Sequence, residues 1–293
     1  RALSRERVEE LEREYAQLQE RLFAIDAENA RSHVRMRAAD GATKELLLSD
    51  IVRAYPANAL DGMEKLSVYL SRWWEFLSDV PREANSEGGV FPAIFGTVMM
   101  VLIMSIVVTP LGVVAAFYLR EYAKQGPLIR IIRISVNNLA GVPSILYGVF
   151  GLGFFVYFLG GNIDALFFPE AHPAPVFGSP GILWSSLTLA LLTLPVVIVA
   201  TEEGLSRVPR SIREGSLALG ATKLQTIVRV VLPQALPGIM TGGILAVSRA
   251  AGEVAPILFT GVAYYMADLP RKLSDQFMDL GYHVFVLSTQ SPN

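Results

Sequence analysis

The chain has 293 residues, a formal net charge of -2 and a hydrophobic content of 52%. These totals fit one or two soluble domains, but the placement of the charged residues excludes that class of protein. The chain also has no cysteine, which excludes disulfides and metal–thiolate sites.

A heptad stripe of apolar residues opens the chain. Spacings of three and four alternate along Val8, Leu11, Tyr15, Leu18, Leu22 and Ile25. The stripe predicts a helix, which either forms a coiled coil with itself or a neighbour or lies as one amphipathic helix on its own domain.

Residues 40–87 predict a mixture of short helices and loops. Trp73, Trp74 and Phe76 stand close to the first long apolar run. These aromatic side chains lie either at the level of the lipid headgroups or in the core of a small soluble domain.

Four stretches without Lys, Arg, Asp or Glu follow, at 88–119, 134–163, 171–201 and 230–248. A helix needs about 20 apolar residues to cross a bilayer, so the sequence predicts four membrane spans. Asn137, Asn138, Pro143 and Ser144 interrupt the second stretch, which neighbouring helices can tolerate.

The polar segment 211–233 separates the last two spans and is rich in capping residues. Ser211 with Glu214, and Thr222 with Gln225, each fit the S/T-x-x-E/Q capping box. The two boxes predict two short helices, each starting at its hydroxyl residue.

Two further residues delimit these helices. Gly220 tolerates the left-handed backbone that ends a first helix, and Pro233 marks the end or a kink of the second. Segment 211–233 is therefore expected to be a helix-turn-helix at a membrane face.

Basic residues accumulate in two loops, and such loops lie on the cytoplasmic side. They are Arg120, Lys124, Arg130 and Arg133 after the first span, and Arg207, Arg210, Arg213, Lys223 and Arg229 after the third. Loop 164–180 has no Lys or Arg and is expected outside. Successive loops lie on opposite sides of the membrane. Residues 1–87 and the tail after 261 are therefore expected outside, and segment 211–233 is expected in the cytoplasm.

Arg249 and Glu253 stand four residues apart in the fourth span, so one helical face should carry both. They either form a structural ion pair or line a solute path. The planar fork of Arg249 suits phosphate or carboxylate oxygens. Glu253 could accept a hydrogen bond from a protonated oxyanion or keep Arg249 oriented, whereas it would repel a fully ionised anion such as sulfate.

A row of small residues runs along the same helix at intervals of four. Such rows let helix backbones approach closely in lipid, so we expect helix packing here, with direct solute contact as the alternative. The row consists of Gly238, Gly242, Ala246 and Ala250.

No catalytic site and no metal site are expected. The histidines, His33, His172 and His283, are scattered without metal-ligand spacing and are predicted to lie at the surface. The sequence contains no G-x-x-x-x-G-K-[ST] phosphate loop, so this chain is not expected to hydrolyse ATP.

Segment 211–233 resembles the loop motif of ABC importer permeases, E-A-A, three residues, Gly, nine residues, I-x-L-P. The spacing is kept, although Gly215 and Ser216 replace the two alanines and Val230 replaces the isoleucine. The matching positions are Glu214, Gly215, Ser216, Gly220, Val230, Val231, Leu232 and Pro233. The resemblance implies that this loop docks on an ATPase subunit.

Residues 249–256 are similar to the R-x-x-G-E-x-A-P segment of phosphate ABC transporter permeases of the PstA type. Segments 109–112 and 143–150 are also similar to that family, so the likeness covers about residues 91–263. It implies an all-α, polytopic inner-membrane permease of bacteria. It also implies a path lined by Arg249 and Glu253, and a docking surface shaped by Glu214 and Gly220.

With the loop charges, the resemblance indicates a permease core (88–263) with coupling loop 202–233 and an external tail (264–293). It does not explain residues 1–87, which are expected to form an external helical or coiled-coil segment. Family members have six spans, so the chain is expected to be a piece that lacks the first and last. The implied partners are a second permease subunit, two ATPase subunits that hold ATP and Mg²⁺, and an external phosphate-binding protein. Lipid surrounds the chain, and neither a cofactor nor nucleic acid is expected on it.

Three alternatives stay open. The same fold could carry sulfate, molybdate or another solute. The chain could be a membrane-anchored scaffold that works through its external coiled coil. An ion-driven secondary transporter is the third, which the two-helix cytoplasmic loop disfavours.

Overall fold

The computed structural model describes residues 2–37, 41–48, 51, 53–56, 58–82, 85, 87–171 and 173–290. The chain divides into two compact units, residues 1–70 and residues 71–293. The described residues are mainly helical, which confirms the all-α class.

The first unit contains one long helix and a two-stranded antiparallel ribbon. Helix α1 (Ala2–Asn29) is followed by β1 (His33–Arg37) and β2 (Thr43–Leu47). Arg35 and Glu45 are paired residues of the ribbon, and their side chains form an ion pair at 2.6 Å. Strand β2 corrects the expectation of helices and loops after residue 40, because cross-strand pairs such as this one stabilise a ribbon.

The predicted stripe on α1 is exposed. Leu11 is 52% exposed and Leu18 is 58% exposed, and Tyr15, Leu22 and Ile25 are exposed as well. The described apolar side chains of the stripe are therefore not packed against the rest of their unit. The alternative of one amphipathic helix that lies on its own domain is wrong. The coiled coil stays a prediction, and the side chain of Val8 lies outside the described residues.

Helix α2 (Gly62–Ser78) starts in the first unit and ends in the second, where a short ribbon of β3 (Pro81–Arg82) and β4 (Glu87–Gly88) follows. Trp73, Trp74 and Phe76 on α2 are 51%, 72% and 46% exposed. The alternative that placed them in a soluble core is therefore wrong.

The rest of the second unit is a set of helices, several of them extended by wider π-helical segments. They are α3 (Phe91–Phe117) with Tyr118–Tyr122, α4 (Pro127–Leu139), α5 (Ser144–Gly151) with Leu152–Gly160, α6 (Gly161–Phe167), α7 (Ile182–Ser206), α8 (Arg210–Ala218), α9 (Lys223–Thr226) with Ile227–Val231, α10 (Leu232–Ala250), α11 (Ile257–Thr260) and α12 (Leu280–Gln290).

Four continuous helices in the described residues are long and apolar enough to cross a membrane, as predicted. They are Phe91–Tyr122, Ser144–Phe167, Ile182–Ser206 and Lys223–Ala250. The second begins later than expected, because Pro143 stands immediately before its first residue. Asn137 and Asn138 belong instead to the separate helix α4.

Helix α7 lies at the centre of this bundle. Its Leu189, Leu192 and Val197 are fully buried against α3 and α10. Some of its buried hydroxyl groups donate within the helix, as Thr188 Oγ1 does to the carbonyl of Trp184 at 2.8 Å. Ser186 Oγ also reaches the carbonyl of Met100 on α3 at 3.1 Å, so buried polar side chains are satisfied both within α7 and by neighbouring helices.

Small residues let α10 approach α7 closely. A Cβ atom on Gly238 would lie 2.6 Å from the Cα of Gly204, and one on Gly242 would lie 2.9 Å from the Cβ of Ala200. Further along α10, Ala246 is buried in the main core of the bundle. The backbones of α7 and α10 can therefore touch only because glycine, which has no side chain, stands at these positions.

A buried carboxylate joins the segment after residue 263 to the first span. Thr97 Oγ1 donates to Asp279 Oδ1 at 2.7 Å, and the N–H of Tyr282 donates to Oδ2 at 3.0 Å. Burial raises the pKa of the Asp279 carboxyl, and the hydrogen bonds from Tyr282 and Thr97 oppose that shift. The predicted tail thus packs on α3 through Asp279.

The helix crossing gives the first prediction. Gly238→Val should lower the stability of the folded protein by about 1–3 kcal/mol, because the new side chain would push against the backbone of Gly204. Thermal unfolding in detergent measures the change. Gly153→Val is the matched control, because no atom lies within 4 Å of a Cβ built there. Equal melting temperatures for the two variants would contradict the close contact.

Candidate functional site

Helix α8 starts one residue before the predicted capping residue. Its N-cap is Pro209 and no side chain caps it, so Ser211 already lies in the first turn with Glu214 behind it. The Ser211 capping box is therefore wrong. A hydroxyl caps a helix only from a non-helical residue, and here the extended backbone of Pro209 sets the helix start.

The second capping box is confirmed. The N–H of Gln225 donates to Thr222 Oγ1 at 3.2 Å, and the N–H of Thr222 donates to Gln225 Oε1 at 2.9 Å. Gly220 adopts φ 82°, which confirms its predicted left-handed role after α8. The hydroxyls of Ser216 and Thr226 lie 2.9 Å apart and join the two helices.

The helix that begins at Lys223 does not end at Pro233. A π-helical segment over Ile227–Val231 precedes α10, and the helix then continues through Leu232 and Pro233 to Ala250. A wider turn accommodates the proline, which has no N–H to donate to the preceding turn. One continuous helix therefore connects the helix pair (α8 and α9) with Arg249.

An ion pair attaches α8 to the end of the first span. Arg213 Nη2 lies 3.1 Å from Glu121 Oε1, and the two side chains are only 19% and 12% exposed. Arg213 also donates to the carbonyl of Leu205 at 2.7 Å, at the end of α7. Arg213 thus contacts the ends of two spans at once.

A second cation of the helix pair reaches the same place. Lys223 Nζ donates to the backbone carbonyl of Glu121 and lies 4.6 Å from the centre of the Tyr122 ring. We call Glu121, Tyr122, Arg213 and Lys223 the clamp. The two basic residues of the clamp belong to the predicted cytoplasmic loop charges, whereas no sequence pattern points to Glu121, because it lies about 90–100 residues away from them in the chain.

Another ion pair ties α4 to the end of α7. Arg133 Nη2 lies 3.3 Å from Glu202 Oε1 and also donates to the carbonyl of Leu119 at 3.2 Å. Arg133 of α4 therefore connects the end of the first span with the end of α7.

Arg249 and Glu253 form an ion pair, but they do not share a helical face. Helix α10 ends at Ala250, and Glu253 lies in the following turn, where its N–H donates to the carbonyl of Ala250 at 3.3 Å. The expected common face is therefore wrong, because the helix ends before Gly252, a poor helix former. The pair itself is present, with Arg249 Nε donating to Glu253 Oε1 at 3.2 Å.

The pair remains accessible and the chain after it is fixed. The side chains of Arg249 and Glu253 are 33% and 20% exposed. A Cβ atom on Gly148 would lie 2.8 Å from the Cα of Pro256, so the backbone after the pair packs directly on α5. A partly exposed guanidinium on a fixed backbone can bind an anion.

No group of three or more His, Cys, Asp or Glu side chains that could hold a metal ion occurs among the described residues. His33 is exposed as predicted, whereas His283 is 4% exposed, so its surface prediction is wrong. It follows Asp279 by one turn of a packed helix, which buries it. His172 lies outside the described residues.

Comparison with known proteins identifies similar membrane proteins. Residues 108–275 match the family model described as binding-protein-dependent transport system inner membrane component. The chain is 38% identical to the phosphate transport system permease protein PstA of Mycobacterium leprae over 64% of this chain and 55% of that protein. It is 34% identical to the protein of the same name of Yersinia pestis, over 73% of this chain and 65% of that protein. The chain thus spans a little over half the length of the first of these relatives.

The clamp gives the second prediction. Arg213→Gln and Glu121→Gln should each cost about 2 kcal/mol of folding free energy, because each leaves one mostly buried charge unpaired. The double variant should cost less than the sum of the two, with a coupling of about 1 kcal/mol. Denaturation of the unmodified protein and the three purified variants gives the free energies of unfolding for this double-mutant cycle. Arg210→Gln, an exposed position on the same helix, is the control, and strictly additive losses would contradict the pairing.

Proposed function

The chain belongs to the family of binding-protein-dependent transport system inner membrane components, and from this premise we propose that it is a permease subunit of an ATP-driven importer of inorganic phosphate. As a family member it is a multi-pass transport subunit of the bacterial inner membrane. The observation that carries the proposal is the helix Lys223–Ala250, which begins in the helix pair and ends at the Arg249–Glu253 ion pair.

Phosphate is the solute that suits this ion pair best. The guanidinium of Arg249 supplies charge and paired donors for the oxygens of an oxyanion. The carboxylate of Glu253 accepts a hydrogen bond from a protonated oxyanion, and at neutral pH phosphate carries a proton whereas sulfate does not. Relatives named as phosphate transport permeases support the same solute.

The helix pair is the proposed contact for an ATPase subunit. Basic residues before and within it favour the cytoplasmic side, where ATP is available. Glu214, Gly215 and Leu219 are exposed on or just after α8, so they are free to form a docking surface. ATP and Mg²⁺ belong to the partner in this proposal, and the chain itself carries no cofactor.

Movement of the docked helix pair would reach the solute in two ways. One is the continuous helix of 28 residues from Lys223 to Ala250, which is about 40 Å long. The other is the clamp, which connects α8 and α9 to α3. ATP-driven movement at the cytoplasmic end would therefore shift the helix that carries Arg249.

The complete importer would contain further subunits. We propose a second permease subunit beside this chain, two ATPase subunits on the cytoplasmic side and an external phosphate-binding protein. Exposed apolar residues of the spans, such as Ile106 at 73% and Ile244 at 64%, fit contact with lipid and with other apolar helices.

The third prediction concerns the ion pair. In cells with the assembled importer, Arg249→Gln should reduce uptake of labelled phosphate about 10- to 100-fold, because a charge-assisted hydrogen bond to the anion is lost. Glu253→Gln should reduce uptake less, but sulfate should then compete with phosphate. The exposed Glu203→Gln serves as the control.

Undiminished phosphate uptake with both variants would contradict the proposal that Arg249 and Glu253 line the solute path. Reduced phosphate uptake that is accompanied by import of molybdate or another solute would instead favour the alternative solutes on the same fold.

A further inference from the structure

A patch of large apolar side chains lies at the end of α3 that is opposite to the helix pair. Trp73, Trp74, Phe76 and Leu77 on the last two turns of α2 are 51%, 72%, 46% and 43% exposed. Together they form one side of the helix, because their positions span less than half of its circumference. We call these four side chains the α2 patch.

The α2 patch is fixed to the start of the first span. The N–H of Val90 donates to the carbonyl of Phe76 at 2.8 Å, and the N–H of Phe91 donates to the carbonyl of Asp79 at 3.2 Å. A Cβ atom on Gly89 would lie 2.3 Å from the carbonyl oxygen of Asp79, so the two backbones are in direct contact. The end of α2 cannot move away from the end of the span without breaking these bonds.

The other side of this part of α2 carries paired charges. Arg72 lies 3.2 Å from Glu75, and Arg82 lies 2.7 Å from Asp79 and 3.4 Å from Glu75. Two cations and two anions cancel one another. The segment therefore offers a broad apolar face and no net charge among these residues.

We propose that the α2 patch lies in the interfacial layer of the bilayer and anchors this end of the first span to zwitterionic lipid. Trp and Phe rings favour the headgroup level, and an amphipathic helix lies there with its apolar face towards the acyl chains. The span that begins just after the patch also exposes apolar side chains once per turn, at Val98 (51%), Leu102 (53%) and Ile106 (73%) of α3. The inference requires only that α3 spans the membrane and is independent of the transported solute.

The balance of positive and negative side chains on this segment predicts a preference for zwitterionic over anionic lipid. Membrane helices that bind anionic lipid present unpaired Lys and Arg, and their binding weakens with salt. Since Arg72 and Arg82 are paired with carboxylates, the position of the α2 patch should not depend on anionic lipid or on salt.

Tryptophan fluorescence tests the proposal, because the chain has three Trp residues and they differ in environment. Trp184 is 2% exposed and its Nε1 donates to the carbonyl of Phe177 at 2.7 Å. The full chain with Trp184→Phe reports the α2 patch alone, and the chain with Trp73→Phe and Trp74→Phe reports Trp184 as the matched control. Both are reconstituted in phosphatidylcholine vesicles that contain a lipid quencher at the headgroup or deep in the acyl chains.

We expect the shallow quencher to reduce the emission of Trp73 and Trp74 about twofold more than the deep quencher does, with little effect of either on Trp184. Added phosphatidylglycerol or salt should leave this pattern unchanged. Strong quenching by aqueous iodide with no effect of the lipid quenchers would overturn the proposal. Protection from all quenchers would also overturn it, because the patch would then be covered by protein. If Trp184→Phe does not fold, subtracting the control spectrum from that of the unmodified chain gives the same signal.

Discussion

The ion pair between Arg213 and Glu121 is the contact on which the attachment of α8 to the first span depends. Other contacts that hold the helix pair to the membrane helices are hydrogen bonds to backbone carbonyls, from Arg213 to Leu205 and from Lys223 to Glu121. At 19% and 12% exposure the two side chains are largely removed from water, so neither charge is well solvated once its partner is lost. The cost of separating them keeps the helix pair against the ends of α3 and α7.

In the proposed importer, the attached helix pair can act on the solute only through a stiff connection. The helix from Lys223 to Ala250 provides it, because it continues past Pro233 and Pro237 and packs on α7 through Gly238 and Gly242. Close packing of the two helix backbones resists bending of the helix, because a densely packed protein interior is hardly compressible and transmits strain. The Arg249–Glu253 pair at the far end is held by the turn that packs on Gly148.

Local patterns in the sequence predicted the local features well. Charge-free stretches located four spans, and the hydroxyl–amide spacing of Thr222 and Gln225 located a helix start. The prediction at Ser211 was wrong because Pro209, two residues earlier, had already fixed the backbone. The shared face of Arg249 and Glu253 was wrong for a related reason, since periodicity does not show where a helix ends. Glu121 and the buried Asp279 could not be found, because their partners are distant in sequence and only the fold brings them together.

The most direct measurement of coupling is the number of phosphate ions imported per ATP hydrolysed by the assembled importer in proteoliposomes. If the clamp transmits movement, Glu121→Gln should leave phosphate-stimulated ATP hydrolysis largely intact while this ratio falls several-fold, about 2- to 10-fold for a loss of 0.4–1.4 kcal/mol of coupling. An unchanged ratio in a variant that folds and assembles would contradict the account, because the helix pair would then drive transport without its attachment to the first span.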